Sequence, residues 1–306
     1  MKQLVVLSGK GGTGKTTVVA ALAHQMARDN RLVLVDADVD APNLGLILRP
    51  RILSRVPFYG SKQAVIDVAR CTACGRCAEV CRYEAVARCD SVYRVEPLAC
   101  EGCATCFYQC PIEAIQMKER LSGYWFRSET RFGPFMHAHL LPGEENSGKL
   151  VSLVRQQALL AAEQARADWI LIDGSPGIGC PVIAAVVGVD LALMVAEPTL
   201  SGVHDLQRAL QVVEHFGVRA AVCINKSDIN PQLAAEIHRF CAWQGIPVLA
   251  EIPYDEIVLE AMRRELAVTE LPHNPVSAPI QALWAALSAL EGNAQKDNKL
   301  NDEHNL

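Results

Sequence analysis

The chain reads as an α/β protein: a doubly wound, mostly parallel sheet carrying an inserted α+β module. Three observations predict this. Half of the 306 residues are hydrophobic, only 6% are aromatic, and the apolar runs are rich in Val, Ile, Leu and Ala. Such runs suit strands buried on both faces beneath helices. A glycine-rich loop joins the first apolar run, Leu4-Val5-Val6-Leu7, to a helical stretch from Thr17 to Asn30. A doubled cysteine pattern then interrupts the alternation of strands and helices.

The first element is a buried strand at Leu4–Leu7. The loop after it, Gly9-Lys10-Gly11-Gly12-Thr13-Gly14-Lys15-Thr16-Thr17, fits G-x-x-x-x-G-K-[ST] in the strand–loop–helix context the motif requires. Glycines let backbone N–H groups curl around phosphate, and the helix N-terminus adds a favourable dipole. Lys15 is expected on the β- and γ-phosphates and the Thr16 hydroxyl on Mg²⁺. Leu32–Asp36 is the next buried strand and ends in a carboxylate, followed by Asp38, Asp40, Pro42 and Asn43. Asp40 is read as a solvated turn acid.

The module follows. Cys71, Cys74, Cys77 and Cys81, then Cys100, Cys103, Cys106 and Cys110, are two copies of C-x2-C-x2-C-x3-C at a 29-residue offset, and use eight of the twelve cysteines. Zinc sites usually pair two C-x2-C units across a loop, and disulfide frameworks belong to secreted chains. The spacing is similar to that of bacterial ferredoxins. The resemblance implies two [4Fe–4S] clusters, one on Cys71, Cys74, Cys77 and Cys110, the other on Cys81, Cys100, Cys103 and Cys106. Cys110 is followed by Pro111, as in that pattern, whereas Cys81 is followed by Arg82. Arginines near a cluster stabilise its reduced form, so the side bearing Arg76 and Arg82 is expected at the higher potential.

Beyond the module, Trp169-Ile-Leu-Ile-Asp173 is a strand ending in a carboxylate and running into Gly174-Ser-Pro-Gly177. Asp190–Ala196 and Ala220–Asn225 are further strands, separated by a helix near Gly202–Phe216. The second ends in Asn225-Lys226-Ser227-Asp228, which matches the guanine-reading N-K-x-D sequence, and Glu251-Ile-Pro253-Tyr254-Asp255 comes later.

With Lys10 in K-G-G-T-G-K-T-T, the chain resembles the deviant Walker A ATPases of the MinD/ParA/Mrp class. The resemblance runs through ordered motifs along nearly the whole chain. It implies a dimer around Mg-ATP, as a homodimer or a heterodimer with a paralogue, in which Lys10 reaches the partner's phosphates. It also implies a switch at Asp38 and Asn43, with Asp38 positioning water, and Mg²⁺ near Thr16, Asp36 and Asp173. Gly177 would sense the γ-phosphate, and Asn225, Lys226 and Pro253 would face the base, favouring ATP over GTP. The catalytic residues are then Lys10, Lys15 and Asp38. The layout is similar to members of this class that carry an inserted ferredoxin, with the ATPase at 1–60 and 119–290, the module at 61–118, and a disordered polar tail at 291–306.

These features predict nucleotide-gated electron transfer with a redox or metal-cofactor protein. An iron–sulfur or metal-cofactor assembly factor and a MinD-like organiser or redox-sensing regulator are the alternatives. The net charge of −5 gives no reason to bind nucleic acid. Neither an apolar run near 18 residues nor a signal-peptide core is found, so a cytoplasmic protein without a membrane anchor is expected. The remaining cysteines, Cys89, Cys180, Cys223 and Cys241, read as ordinary buried thiols. His137 and His139 alternate along an expected strand and read as structural. Gly143–Leu150 reads as a loop before a helix.

Overall fold

The computed structural model describes the backbone of residues 1–303 and side chains through residue 290. The chain divides into two compact units. The first comprises Met1–Arg55, Phe126–His139 and Ser147–Leu306. The second comprises Val56–Trp125 and Leu140–Asn146, and is wider than the 61–118 expected for the module.

The chain begins with β1 (Lys2–Ser8), α1 (Lys15–Met26), β2 (Leu32–Asp36), the short α2 (Leu44–Leu48) and β3 (Arg51–Ile66). Next come α3 (Arg76–Glu79), the ribbon strands β4 (Val86–Cys89) and β5 (Val92–Val95), α4 (Thr105–Tyr108), β6 (Ile115–Thr130) and β7 (Gly133–Leu140). The remainder alternates: α5 (Ser147–Ala165), β8 (Trp169–Pro176), α6 (Cys180–Val186), β9 (Leu191–Ala196), α7 (Leu200–His215), β10 (Arg219–Asn225), α8 (Pro231–Gln244), β11 (Val248–Ile252), α9 (Ile257–Arg263) and α10 (Ser277–Glu303).

Among the described residues, nine strands form one sheet in the order β11-β10-β9-β1-β8-β2-β7-β6-β3. The pairs from β11 through β7 are parallel. Parallel neighbours need a crossover, and the helices that supply it cover the faces. That is why β1, β2, β8 and β9 each hold a run of consecutive apolar residues rather than an alternation, and nearly every residue in them is buried. α10 closes one side with Ile280, Leu283 and Leu287 at helical spacing, and Trp284 meets Trp169 edge-on at 5.4 Å. α8 is capped by Asn230, whose side chain accepts from the Leu233 N–H at 3.1 Å, and ends on Gly245.

No helix among the described residues is long and apolar enough to cross a membrane. The tail expected to be disordered from residue 291 continues α10 as far as Glu303, and 304–306 lie outside the described residues.

In the second unit the sequence repeat is a structural repeat. α3 and α4 stand 29 positions apart, and so do the starts of β4 and β6. Left-handed backbone recurs at the same offset: Ala73 and Gly102, Gly75 and Ala104, Glu84 and Glu113. Position 102 must be glycine, because a Cβ there would stand 2.1 Å from the Lys62 carbonyl oxygen. A small core of Ala64, Cys77, Val86, Cys106 and Ile115 lies between the copies.

Candidate functional site

The loop between β1 and α1 borders a cavity of about 630 Å³. Gly11 to Thr17 line one end, with Asp38 and Asn43 beside them and Asn225, Lys226 and Pro253 further along. Residues distant in sequence hold the loop in shape. Asn225 donates from Nδ2 to the Thr13 carbonyl at 2.7 Å, and Lys226 Nζ donates to the Gly12 carbonyl at 3.1 Å and to Glu197 at 3.4 Å. Gly14, at φ +87°, has no room for a side chain, since a Cβ would lie 2.2 Å from the Asn225 amide nitrogen.

Beneath the loop, the Lys15 ammonium is buried and hydrogen-bonded to the carboxylate of Asp173 within β8. Asp36, on the neighbouring strand, is also buried; its oxygens accept from the N–H groups of Asp38 and Leu44, each at 3.1 Å. Burial pushes the Asp36 carboxyl well above its ordinary range, and the nearby Asp173 charge adds to this. Asp38 is raised as well, chiefly by burial. The second oxygen of Asp173 is buried without a partner. Two buried carboxylates beside one lysine leave this corner short of positive charge, so the donor set suits a hard cation that takes oxygen ligands.

Lys10 points elsewhere. Its Nζ donates to Thr199 Oγ1 at 2.9 Å and Ser201 Oγ at 3.0 Å, where α7 begins, so it does not line the cavity. Gly9 packs against the Asp205 backbone in α7 rather than facing the cavity. The Gly177 N–H, expected to be free for a phosphate, donates to the Ser8 carbonyl at 2.9 Å. Asp40 is exposed, as a solvated turn acid should be.

Sequence reasoning missed much of the cavity's far wall, which is apolar: Leu46 and Ile47 from α2, Val258, Leu259 and Met262 from α9, and Ile280 from α10. Such residues carry no motif, and only the packing of three separate helices brings them together. Glu197, Thr199 and Ser201 were also missed as holders of the two lysines; a polar loop after a buried strand was the available signal.

In the second unit, the eight repeat cysteines sort into two small cavities. Cys71, Cys74, Cys77 and Cys110 line one, and Cys81, Cys100, Cys103 and Cys106 line the other. All are free thiols. No three His, Cys, Asp or Glu side chains among the described residues converge on a point that would hold a single metal ion. Backbone N–H groups donate to sulfur at equivalent places, Ala85 to Cys81 and Ala114 to Cys110, both at 3.3 Å. Burial raises the Cys77 thiol and pushes Cys106 up to about 11, while the Thr105 hydroxyl beside Cys103 lowers that thiol.

Two readings of the other cysteines are corrected. Cys89 is exposed, because it ends a strand of the two-stranded ribbon, where nothing covers it. Cys180 is exposed at the start of α6, where the chain emerges from the sheet. Cys223 and Cys241 are buried, with thiols pushed up to about 12 and 11 by burial. His137 lies on β7 with Nε2 2.9 Å from Ser128 Oγ, its ring stacked on Phe126 and Phe135. Burial, with His139 nearby, takes its pKa down to about 4.

Known proteins are similar to this chain over most of its length. An uncharacterized protein of Methanocaldococcus jannaschii is 34% identical over 230 residues, covering 74% of this chain and 79% of its own. The septum site-determining protein MinD of Synechocystis is 24% identical over 298 residues, covering 94% of this chain and 89% of its own. Among solved structures, MinD of Pyrococcus horikoshii in complex with Mg-ADP superposes with a TM-score of 0.59 at 18% identity, over 95% of this chain and 97% of that one. Residues 4–268 match the CobQ/CobB/MinD/ParA nucleotide binding domain, a span that takes in the phosphate loop, both buried carboxylates and Asn225. The chain therefore belongs to that family.

Proposed function

We propose that the protein is a Mg-ATP-dependent, dimerising ATPase that carries two [4Fe–4S] clusters and couples its nucleotide state to electron transfer with a partner metalloprotein. The observation that carries the cluster part is the partition of the eight cysteines. Each cavity takes three thiols from one copy and the fourth from the other, the pairing the ferredoxin spacing implies. In such a cluster each thiolate binds a different iron, so the four sulfurs need not converge on one point. When bound, the clusters would supply one-electron storage.

At the nucleotide site, the polar residues support hydrolysis as follows. Lys15 exchanges Asp173 for phosphate oxygens, and the loop N–H groups cradle the same oxygens. Thr16, Asp36 and Asp173 would hold Mg²⁺, which would neutralise charge on the phosphates. Asp38 orients water for in-line attack on the γ-phosphate. Lys10 leaves Thr199 and Ser201 to meet the partner's nucleotide across the dimer.

Adenine is favoured over guanine. In N-K-x-D GTPases the aspartate must be free to accept from the purine. Here Asp228 does not line the cavity, and its Oδ1 accepts from the Tyr254 N–H at 2.7 Å. The similarity to a MinD structure holding Mg-ADP points the same way.

The test is anaerobic purification followed by redox titration with and without ATP, together with nucleotide-binding and sedimentation measurements. Electron transfer gated by nucleotide requires cluster potentials or transfer rates that respond to ATP and cease to respond in Lys15→Ala. A second reading, a MinD-like spatial organiser, is favoured by the similarity to MinD proteins over most of the chain. It predicts ATP-dependent partner localisation with redox-inert clusters.

A further inference from the structure

The two cysteine-lined cavities resemble each other closely enough that the ways in which they differ carry information. A cluster's potential depends on its type, its solvent exposure, the hydrogen bonds to its sulfurs and the charge around it. The first is matched, and the next two are similar. Both cavities offer four thiols in the same spacing. Exposure is equal position by position: Cys77 and Cys106 are each 8% exposed, Cys74 and Cys103 are both exposed, and the remaining pairs are intermediate.

Hydrogen bonds to sulfur recur at one equivalent position. Each cavity has one N–H bond from an alanine four residues on, Ala114 to Cys110 in the first and Ala85 to Cys81 in the second. Further contacts at 3.4 Å are made by the Ala73 N–H to Cys71 in the first and by Thr105 Oγ1 to Cys103 in the second.

Charge is not matched. Arg76 lines the first cavity, and the position 29 residues on, in the second, is the neutral Thr105. Glu101 lines the second cavity, and its counterpart in the first is the neutral Thr72. Neighbouring groups add to the contrast. Arg70 donates to the carbonyl of Ile112 at the first cavity, and Arg76 is paired with Glu79 at 2.9 Å in an exposed, solvent-screened bridge. At the second, Arg120 donates to the Cys100 carbonyl, but its charge is paired with Glu144 at 2.5 Å in a largely buried bridge. Arg82, which sequence alone would have included, lines neither cavity.

We propose that the two sites are electronically unequal: Arg76 raises the potential of the site formed by Cys71, Cys74, Cys77 and Cys110, and Glu101 lowers that of the site formed by Cys81, Cys100, Cys103 and Cys106. This rests on the two-cluster reading above. Reduction adds a negative charge to a cluster, so a nearby guanidinium stabilises the reduced form and a nearby carboxylate destabilises it. A single electron per chain therefore rests at the first site, and the second is filled only under stronger reduction. An electron passing from the second site to the first moves downhill, one site oxidised and the other reduced, with no proton exchanged.

The experiment is a potentiometric titration of the full chain, prepared anaerobically, with dithionite as reductant and electron paramagnetic resonance as readout, after iron and sulfide have been assayed. The wild-type protein should show two separate one-electron waves. Arg76→Gln should lower only the upper wave, and Arg76→Lys should leave it in place. Glu101→Gln should raise only the lower wave, and the double variant should bring the two together. A single wild-type wave, or waves that ignore both substitutions in protein with full iron and sulfide, overturns the inference while leaving the two-cluster reading intact. Protein that holds no iron and sulfide overturns both.

Discussion

The nucleotide site and the cysteine cavities are built over very different distances along the chain. Lys15 reaches Asp173 across 158 positions, Lys10 reaches Thr199 across 189, and Asn225 reaches Thr13 across 212. In the cysteine unit the N–H bonds to sulfur span two or four positions, and the backbone repeats itself after 29 residues. Only the fourth cysteine of each set crosses from one copy to the other. One site thus depends on the assembled sheet, whereas the other is largely encoded by local turns. Charge follows the same division. The nucleotide site keeps its lysines bonded to its own side chains, while the cysteine cavities differ by single substitutions at equivalent positions.

The largest expected effect tests how local the cysteine unit is. Cys77→Ser should remove the iron of the first site, measured by iron and sulfide assay. ATP binding, read by fluorescent-nucleotide titration, should be unchanged. If ATP binding is also lost, the two regions do not separate as the contact distances suggest.

The reverse experiment is Lys15→Ala. It removes a charged hydrogen-bond donor to phosphate, at a cost of at least about 2 kcal/mol, or roughly thirtyfold in nucleotide affinity. Iron content should be unaffected. A variant that binds nucleotide as tightly as wild type would show that Lys15 stays with Asp173 rather than moving to phosphate.

A pH experiment reads the assembled sheet directly. His137 is held neutral by burial, with a folded pKa of about 4 against an ordinary value of 6.5. As pH falls, the unfolded chain takes up the proton first, so the folded state loses stability from about pH 6.5 down to about pH 4 and is unaffected above that window. The loss from this residue is up to about 3 kcal/mol. His137→Gln should shrink the difference in urea-unfolding free energy between pH 7.5 and 4.5; an unchanged difference would place the burial penalty elsewhere. The smallest effect is at the α8 cap. Asn230→Ala should cost about 1 kcal/mol in the same assay, because the Leu233 N–H loses its acceptor.

Much of the molecule was legible beforehand because its signals are local. A glycine loop between an apolar strand and a helix leaves few structural options, and the ferredoxin resemblance of the doubled cysteine spacing implies that Cys110 joins the first set and Cys81 the second. The buried strands could be read because parallel strands covered on both faces need no polar alternation. Other readings failed where exposure depends on packing. Cys89 and Cys180 resemble core thiols by residue type, yet one ends an uncovered ribbon and the other opens a helix at the surface. Gly177 sits in a recognisable loop, but that its N–H is bonded to Ser8 depends on how β8 lies against β1.

The sequence by itself determined the α/β class, the phosphate loop, the carboxylates that follow the apolar runs and the two sets of cysteines. Each is a matter of residue type at fixed spacing, and spacing survives without knowledge of the fold. Only the tertiary structure decided that Lys15 is bonded to Asp173, that Lys10 rests on Thr199 and Ser201, and that three helices form an apolar wall across the nucleotide cavity. It also decided that Arg76 and Glu101, but not Arg82, line the cysteine cavities. The reason is physical: electrostatic and packing energies depend on distance in space and on burial, and residues far apart in the chain acquire both only when the sheet and its helices assemble.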